Sequence, residues 1–383
     1  MPSMSTGPTS AIGDNLDGVR APLGRAQHSP GQVYTSPAVL ELEKQKVFLK
    51  DWVCVGRVEE IERPGDYMTF RLAGEPLIVA RNENGDIKAF SNVCRHRGVE
   101  VAQGAGNAKE FSCPYHGWTY DLSGDLLGAP FTRDVEGFDR AKCSLKPVKV
   151  DVWGGFLFVN FDPDCEALID FIGVIGGKTE HLKTEKCRLW NKFIIKLACN
   201  WKLAPENLAD WYHLEVLHKT TLGNYTPADA VRFELFERGG YTVDYQSGPL
   251  APNGESQFGP IPWFGDRDDT YAFSFYLRPN LNFFARIDEF LTMVAWPTGP
   301  DSCEHHGYIL FPEEWFDQPD FEERAQAYGD WLAVFLQEDV DMVGSLQRGL
   351  KAERFEPGPM VELEKPIHHM LNHHLDRVFV SDE

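Results

Sequence analysis

The apolar positions change their period along the chain, and each change marks a boundary. From Tyr34 to Lys50 they follow a helical spacing, carried by the run SPAVLELEKQKVFLKDW, with Ser36 placed as a cap and Pro37 in the first turn. From Trp52 to Phe161 the texture becomes short strand-like runs, DYMTFRL, PLIVARN, IKAFSNV, GWTYDL and GGFLFVNF, separated by RPG, AGEP, NENGD and LSGD. This predicts an all-β module of about 110 residues. The run IIKLACNWKLAPENLADWYHLEVLHK then passes from a strand into a helix, with Pro205 near its first turn. Residues 221–268 read as loop, full of Gly, Pro and aromatics. TYAFSFYLR, LNFFARIDE, FLTMVAWPTG and EHHGYILF predict an antiparallel meander, and Asp320 to Leu350 a long helix. The expected class is α+β. It comprises a flexible N-terminal tail (1–33), a helix (34–51) packing on the C-terminal domain, a β domain (52–161) and a mixed C-terminal domain (162–383).

Composition narrows the function without naming it. The 383 residues carry a net charge of −21, which repels phosphate backbones and excludes nucleic acid as an expected partner. No run of 18 apolar residues occurs, so no membrane span is expected. The first residues lack the basic start and apolar core of a signal peptide. Eight scattered cysteines in such a chain predict buried or ligating thiols in a reducing, cytoplasmic compartment.

Two of those cysteines carry chemistry. CRHRG and CPYHGW place Cys94 with His96, and Cys113 with His116, in two loops of the β module. A zinc finger pairs its cysteines in one place and its histidines in another. Here each loop supplies one of each, which suits a binuclear cluster with two thiolates on one iron and two imidazoles on the other. Gly98, Pro114 and Gly117 let both loops bend tightly.

A second set follows in ENLADWYHLEVLH. Asn207, Asp210 and His213 recur at three-residue steps and share one face of the expected helix, while His218 lies five residues beyond His213 and turns away. If both histidines bind one metal, the helix must end, widen or carry a π-bulge between them. Two histidines and one carboxylate make the facial triad of non-haem iron(II) sites. In the C-terminal helix, Trp331, Phe335, Met342 and Leu346 mark an apolar stripe, and Asp339 falls on it. Asp341 falls on the polar side and Glu338 between. A carboxylate on a core-facing stripe is costly unless paired or metal-bound, so Asp339 is the expected third ligand. The pairs His305–His306, His368–His369 and His373–His374 read as surface or hydrogen-bonding residues.

With both motifs in this order, the chain resembles the Rieske non-haem iron oxygenases, in their catalytic alpha subunit, from Trp52 to about Leu350. The paired loops match the Rieske [2Fe–2S] signature, and Asn207, Asp210, His213 and His218 match the family's Asn-x-x-Asp-x-x-His-x4-His. The extra cysteines that bridge the loops in respiratory Rieske proteins are absent, which implies the low-potential branch, near about −150 mV.

The resemblance implies a helix-grip catalytic domain holding mononuclear Fe(II), in a head-to-tail homotrimer. It implies that Asp210 bridges a subunit boundary, with His116 and His213 as partners, and couples the two centres. Electrons would come from a separate ferredoxin or flavin reductase, since the chain has no Gly-x-Gly-x-x-Gly unit of its own. Arg95 and Arg97 flank His96 and are the expected docking patch for an acidic donor. The aromatic-rich loop and strands predict a pocket for a small apolar or aromatic substrate, with O2 as co-substrate. Monooxygenation, including oxidative N- or O-dealkylation, is the expected reaction. Cis-dihydroxylation of an aromatic ring, and a Rieske electron carrier without oxygenase activity, are the alternatives.

Overall fold

The computed structural model describes residue 12 and residues 16–224, 226–227, 230–251 and 254–379. They divide into two compact units, one running up to Val47 and resuming at Ile172, the other Phe48–Phe171. The mixture of helix and antiparallel sheet is the α+β class that the periodicities indicate. No helix among the described residues is long and apolar enough to cross a membrane.

The smaller unit is built on a seven-stranded antiparallel sheet with the order Val53–Arg57, Phe156–Asn160, Pro147–Trp153, Ile87–Ser91, Glu75–Arg81, Asp66–Leu72 and Ala105–Asn107. A three-stranded sheet, Phe111–Ser112, Thr119–Tyr120 and Leu126–Gly128, carries the second Cys/His loop. Ile78, Phe90, Phe111, Trp118 and Tyr120 pack into one core around Cys94 and Cys113. The unit is wider than the expected 52–161, because its flanks fold back. Trp52 Nε1 donates to the Glu166 carbonyl (2.9 Å) and Lys50 pairs with Asp162 (2.8 Å).

The larger unit is a seven-stranded antiparallel sheet with the order Cys187–Leu197, Ser302–Pro312, Glu289–Gly299, Leu281–Arg286, Tyr271–Leu277, Tyr241–Gln246 and Arg232–Leu235. The last two strands fall in the stretch read as loop. The outermost strand does alternate, with Arg232 and Glu234 facing water between half-buried Phe233 and Leu235, but four residues among Gly- and Pro-rich stretches are too short a run to stand out. The long helix, Phe321–Leu350, runs where expected, but Met342 and Leu346 are about half exposed. Its buried face is Leu332, Phe335, Leu336 and Val343, and Asp339 lies within that spacing.

Two N-terminal expectations need correction. Residues 1–11 and 13–15 of the expected tail lie outside the described residues, but from Leu16 on the chain is built into the larger unit. Val19, Ala26 and Val33 are buried, Arg20 pairs with Asp376 (2.6 Å), and the Asn372 amide donates to the Val19 carbonyl (3.1 Å). Single apolar residues spaced among Gly and Pro look like tail in composition, yet the turn holding Val19 packs on the C-terminal helix Lys365–Phe379, the turn holding Val33 packs on Phe321–Leu350, and the Ala26 carbonyl accepts the Met360 N–H (2.9 Å). The expected 34–51 helix is three pieces, Gln32–Thr35, Pro37–Glu43 and a π turn over Lys44–Phe48.

Candidate functional site

In the smaller unit the two Cys/His loops fold as matching turns. The Gly98 N–H donates to the Cys94 carbonyl (2.9 Å) and the Cys94 N–H to the Val99 carbonyl (2.8 Å). In the other loop the Gly117 N–H donates to the Cys113 carbonyl (3.0 Å) and the Cys113 N–H to the Trp118 carbonyl (2.8 Å). Both glycines sit at positive φ, 82° and 67°, where a side chain would be strained. The turns bury both thiols and leave both imidazoles exposed. His96 Nδ1 and His116 Nδ1 face each other at 3.1 Å.

Two imidazole nitrogens aimed at one point and two shielded thiols fit the donor set of a Rieske cluster. Tyr120 accepts the Arg95 N–H (3.0 Å) and lies 3.4 Å from Cys94 Sγ, so its own proton is free to serve the sulfur. Arg95 and Arg97 are exposed beside His96, with Arg97 over the Tyr115 ring at 5.5 Å.

In the larger unit the helix carrying the second motif is short, Leu203–Ala209. It ends before Asp210, which turns extended at φ −85° and ψ 106°. Asp210 Oδ1 instead accepts the N–H groups of Tyr212 (2.7 Å) and His213 (3.4 Å), an Asx turn that competes with helix. Asn207, Asp210 and His213 therefore do not share a helix face. His213 and His218 stand on successive turns, closed by Leu217 N–H to the His213 carbonyl (2.8 Å) and Gly223 N–H to the His218 carbonyl (2.8 Å).

Those turns bring three ligand atoms together. Asp339 Oδ1 lies 3.1 Å from His218 Nε2 and 3.6 Å from His213 Nε2, and the set lies within 4.8 Å. Ligand atoms each about 2.1 Å from one ion sit about 3 Å apart on an octahedral face, so the residues fit a divalent metal. The other ring nitrogen of His218 is held from behind. His218 Nδ1 meets Glu338 Oε2 at 2.7 Å, and Thr221 donates to the same oxygen (2.8 Å). Burial pulls the His218 pKa down, but Asp339 and Glu338 outweigh it and raise it. Asp210 Oδ2 lies 3.2 Å from His213 Nδ1, off the line of a hydrogen bond, so that buried nitrogen has no bonded partner.

Glu338 was weighed in the sequence against Asp339 and given no role. Its position between the apolar and polar faces hides the fact that it bonds the back of a ligand. His305 and His306 also depart from the surface reading: both are buried, and burial pushes each down to about 3.

A chamber adjoins the three ligand residues. Its walls are mainly apolar and aromatic, with Trp211, Tyr245, Phe284 and Phe335 among them, and Asn207 and Arg286 also line it. None of the aromatic four was assigned to a pocket from sequence, and Phe335 was read only as part of the apolar stripe, because four separate segments build the space. Its open volume is about 60 Å³. On the far side of Asp210 a second cavity of about 290 Å³ is lined by His28, Tyr34, Glu206 and Glu364.

Residues 181–379 match the ring hydroxylating alpha subunit (catalytic domain) family and residues 51–139 the Rieske [2Fe-2S] domain family. The chain is 32% identical over 341 residues to the carnitine monooxygenase oxygenase subunit of Acinetobacter baumannii, covering 85% of this chain and 86% of that one. It is 30% identical over 377 residues to the chloroplastic choline monooxygenase of Arabidopsis thaliana, covering 93% and 85%. The solved structure of a quaternary ammonium Rieske monooxygenase superposes with a TM-score of 0.79 at 26% identity, covering 92% of this chain and 95% of that one.

Proposed function

The chain belongs to the ring-hydroxylating alpha-subunit family of Rieske non-haem iron oxygenases, and from that premise we propose that it hydroxylates a quaternary ammonium molecule at a carbon bonded to the charged nitrogen. The observation that carries this reading is the chamber wall. Trp211, Tyr245, Phe284 and Phe335 surround a buried space next to His213, His218 and Asp339. Aromatic faces attract a desolvated alkylammonium by about 2 kcal/mol or more. Relatives named for carnitine and choline oxidation support the same class.

In this reading Cys94, His96, Cys113 and His116 hold the [2Fe–2S] cluster, and His213, His218 and Asp339 hold the iron. The bound metals supply one-electron transfer and O2 activation. Glu338 and Asp210 orient the two imidazoles from behind, and Asn207 and the aromatic wall place the substrate and exclude water. Overall, one oxygen atom enters a C–H bond. The other leaves as water, with two electrons and two protons from a separate reductase or ferredoxin. The carbinol so formed breaks its C–N bond, releasing a tertiary amine, a carbonyl compound and a proton. Assembly as a homotrimer with Asp210 bridging to a neighbouring chain's Rieske histidine, and a cytoplasmic location, rest on the family resemblance.

The test begins with metal content. Protein purified anaerobically should hold about three irons and two acid-labile sulfides per chain. With a surrogate reductase it should turn quaternary ammonium compounds into a tertiary amine and a carbonyl compound. About two irons, unchanged on adding iron(II), would make it an electron carrier. A cis-diol from an aromatic ring, with no amine formed from any quaternary substrate, would make it a dihydroxylating enzyme.

A further inference from the structure

Arg286 is an unusual wall for a chamber that takes a cation. It ends the strand Leu281–Arg286, is 4% exposed and lines the space beside the iron ligands. Its cross-strand neighbour is Glu289, to which Nη1 donates (3.1 Å), and Nε donates to Ser247 Oγ (3.3 Å). A guanidinium carries five N–H donors, and these bonds use two. Two more donors border the same chamber without a hydrogen-bond partner among the described residues: the Trp211 indole N–H and the Tyr245 hydroxyl, both buried. Their rings touch at 4.6 Å between centroids. Burial pushes the Tyr245 phenol up while the nearby Arg286 charge pulls it down, so the two groups share one electrostatic neighbourhood.

Three donors from three segments thus converge where the charged acceptors lining the chamber, Asp210 and Asp339, are engaged with His213 and His218. A simple cation would leave these donors bare and would sit near a guanidinium, and both are unfavourable in a buried space. A zwitterion meets both demands, because its carboxylate takes the donors and its net charge is zero. A structural role for the Arg286–Glu289 pair explains its burial but not its place at the chamber. Apolar residues of the same volume hold a hairpin as well or better.

We propose that Arg286, with Tyr245, is the specificity-determining residue for a substrate carboxylate, so that the substrate is a trimethylammonium carboxylate and not a trimethylammonium alcohol. This rests on the quaternary ammonium reading above and divides it. Carnitine and choline share a headgroup, and only carnitine carries the anion.

The experiment measures binding and steady-state turnover of L-carnitine and choline on the holoenzyme, for the native chain, Arg286→Gln and Tyr245→Phe. Binding is followed by calorimetry under anaerobic conditions, independent of turnover. The native chain should favour L-carnitine. Arg286→Gln should weaken its binding about tenfold to a hundredfold, as expected for losing hydrogen bonds to a charged group. The loss should fall on KM more than kcat and leave choline within about twofold. Arg286→Lys should restore part of the preference. Tyr245→Phe leaves the Glu289 ion pair intact, so it guards against misfolding, and should weaken L-carnitine alone. Equal affinity of the native chain for both compounds, or equal loss of both in the variants, overturns the inference and leaves the quaternary ammonium reading standing. Absence of binding by either compound overturns both.

Discussion

At the scale of single residues, two buried carboxyls, Glu43 and Glu206, are driven in opposite directions. Burial pushes Glu43 up, but the Lys202 ammonium (2.6 Å) and His374 (2.9 Å) outweigh it and hold it down to about 2. Glu206 has no cation at contact distance among the described residues. Burial drives it from 4.5 up to about 7, and the Tyr34 hydroxyl that donates to Oε2 (2.9 Å) only moderates the rise. The sign for stability follows. Between these two values the folded chain keeps the Glu206 proton while the unfolded chain loses it, so the unfolded state gains as pH rises. The cost is absent below the ordinary carboxylate range and complete above about pH 7. It amounts to on the order of 3 kcal/mol. Glu206→Gln should remove this slope, so that urea unfolding of the variant gains on the native chain as pH climbs from 4.5 to 7. Parallel pH profiles for the two proteins would show that Glu206 ionises normally, hydrated in the adjoining cavity.

Elements decide which parts of the site could be read in advance. Both Cys/His loops, and His213 with His218, could be picked out in advance because residue type and spacing are local, and the structure brings His213 and His218 together with Asp339 within 4.8 Å. How the two histidines come to face one point could not. The spacing shows only that a regular helix cannot do it, while the means is an Asx turn at Asp210 and a helix that stops at Ala209. Asp339 was legible from its place among core-facing residues, although Met342 and Leu346, used to draw the stripe, face outward. Glu338, Trp211, Tyr245 and Arg286 were illegible because they act through neighbours distant in sequence. The turn itself makes a prediction. A Cβ at Gly223 would lie 2.6 Å from the Leu214 carbonyl oxygen and 3.0 Å from that of His218. Both are backbone atoms of the ligand loop, so the loop must shift. Gly223→Ala should weaken iron(II) binding at the mononuclear site about tenfold or more, while the visible spectrum of the cluster stays unchanged. An iron(II) titration superposing on that of the native chain would mean the turn has slack that the close approach conceals.

Across the whole molecule, charge sets the loop around His96 apart from the chain's overall balance. The chain carries −21 overall, yet Arg95 and Arg97 stand exposed on either side of the exposed His96. Tyr115, 55% exposed, holds the Arg97 guanidinium in place by its ring and by its hydroxyl, which accepts from Nη1 at 3.4 Å. An acidic ferredoxin or flavin reductase approaching a body of like charge would gain by meeting this loop and lose elsewhere, which would direct the encounter to the histidine end of the cluster. The electrostatic part of that gain is screened beyond about 8 Å at physiological ionic strength. Arg97→Glu should therefore raise the KM for the donor about tenfold at low salt, leave kcat at saturating donor unaltered, and lose its effect near about 0.5 M salt. A donor KM that ignores both the substitution and the salt would place electron entry at another surface, with the two arginines serving only to keep an acidic protein's cluster loop hydrated.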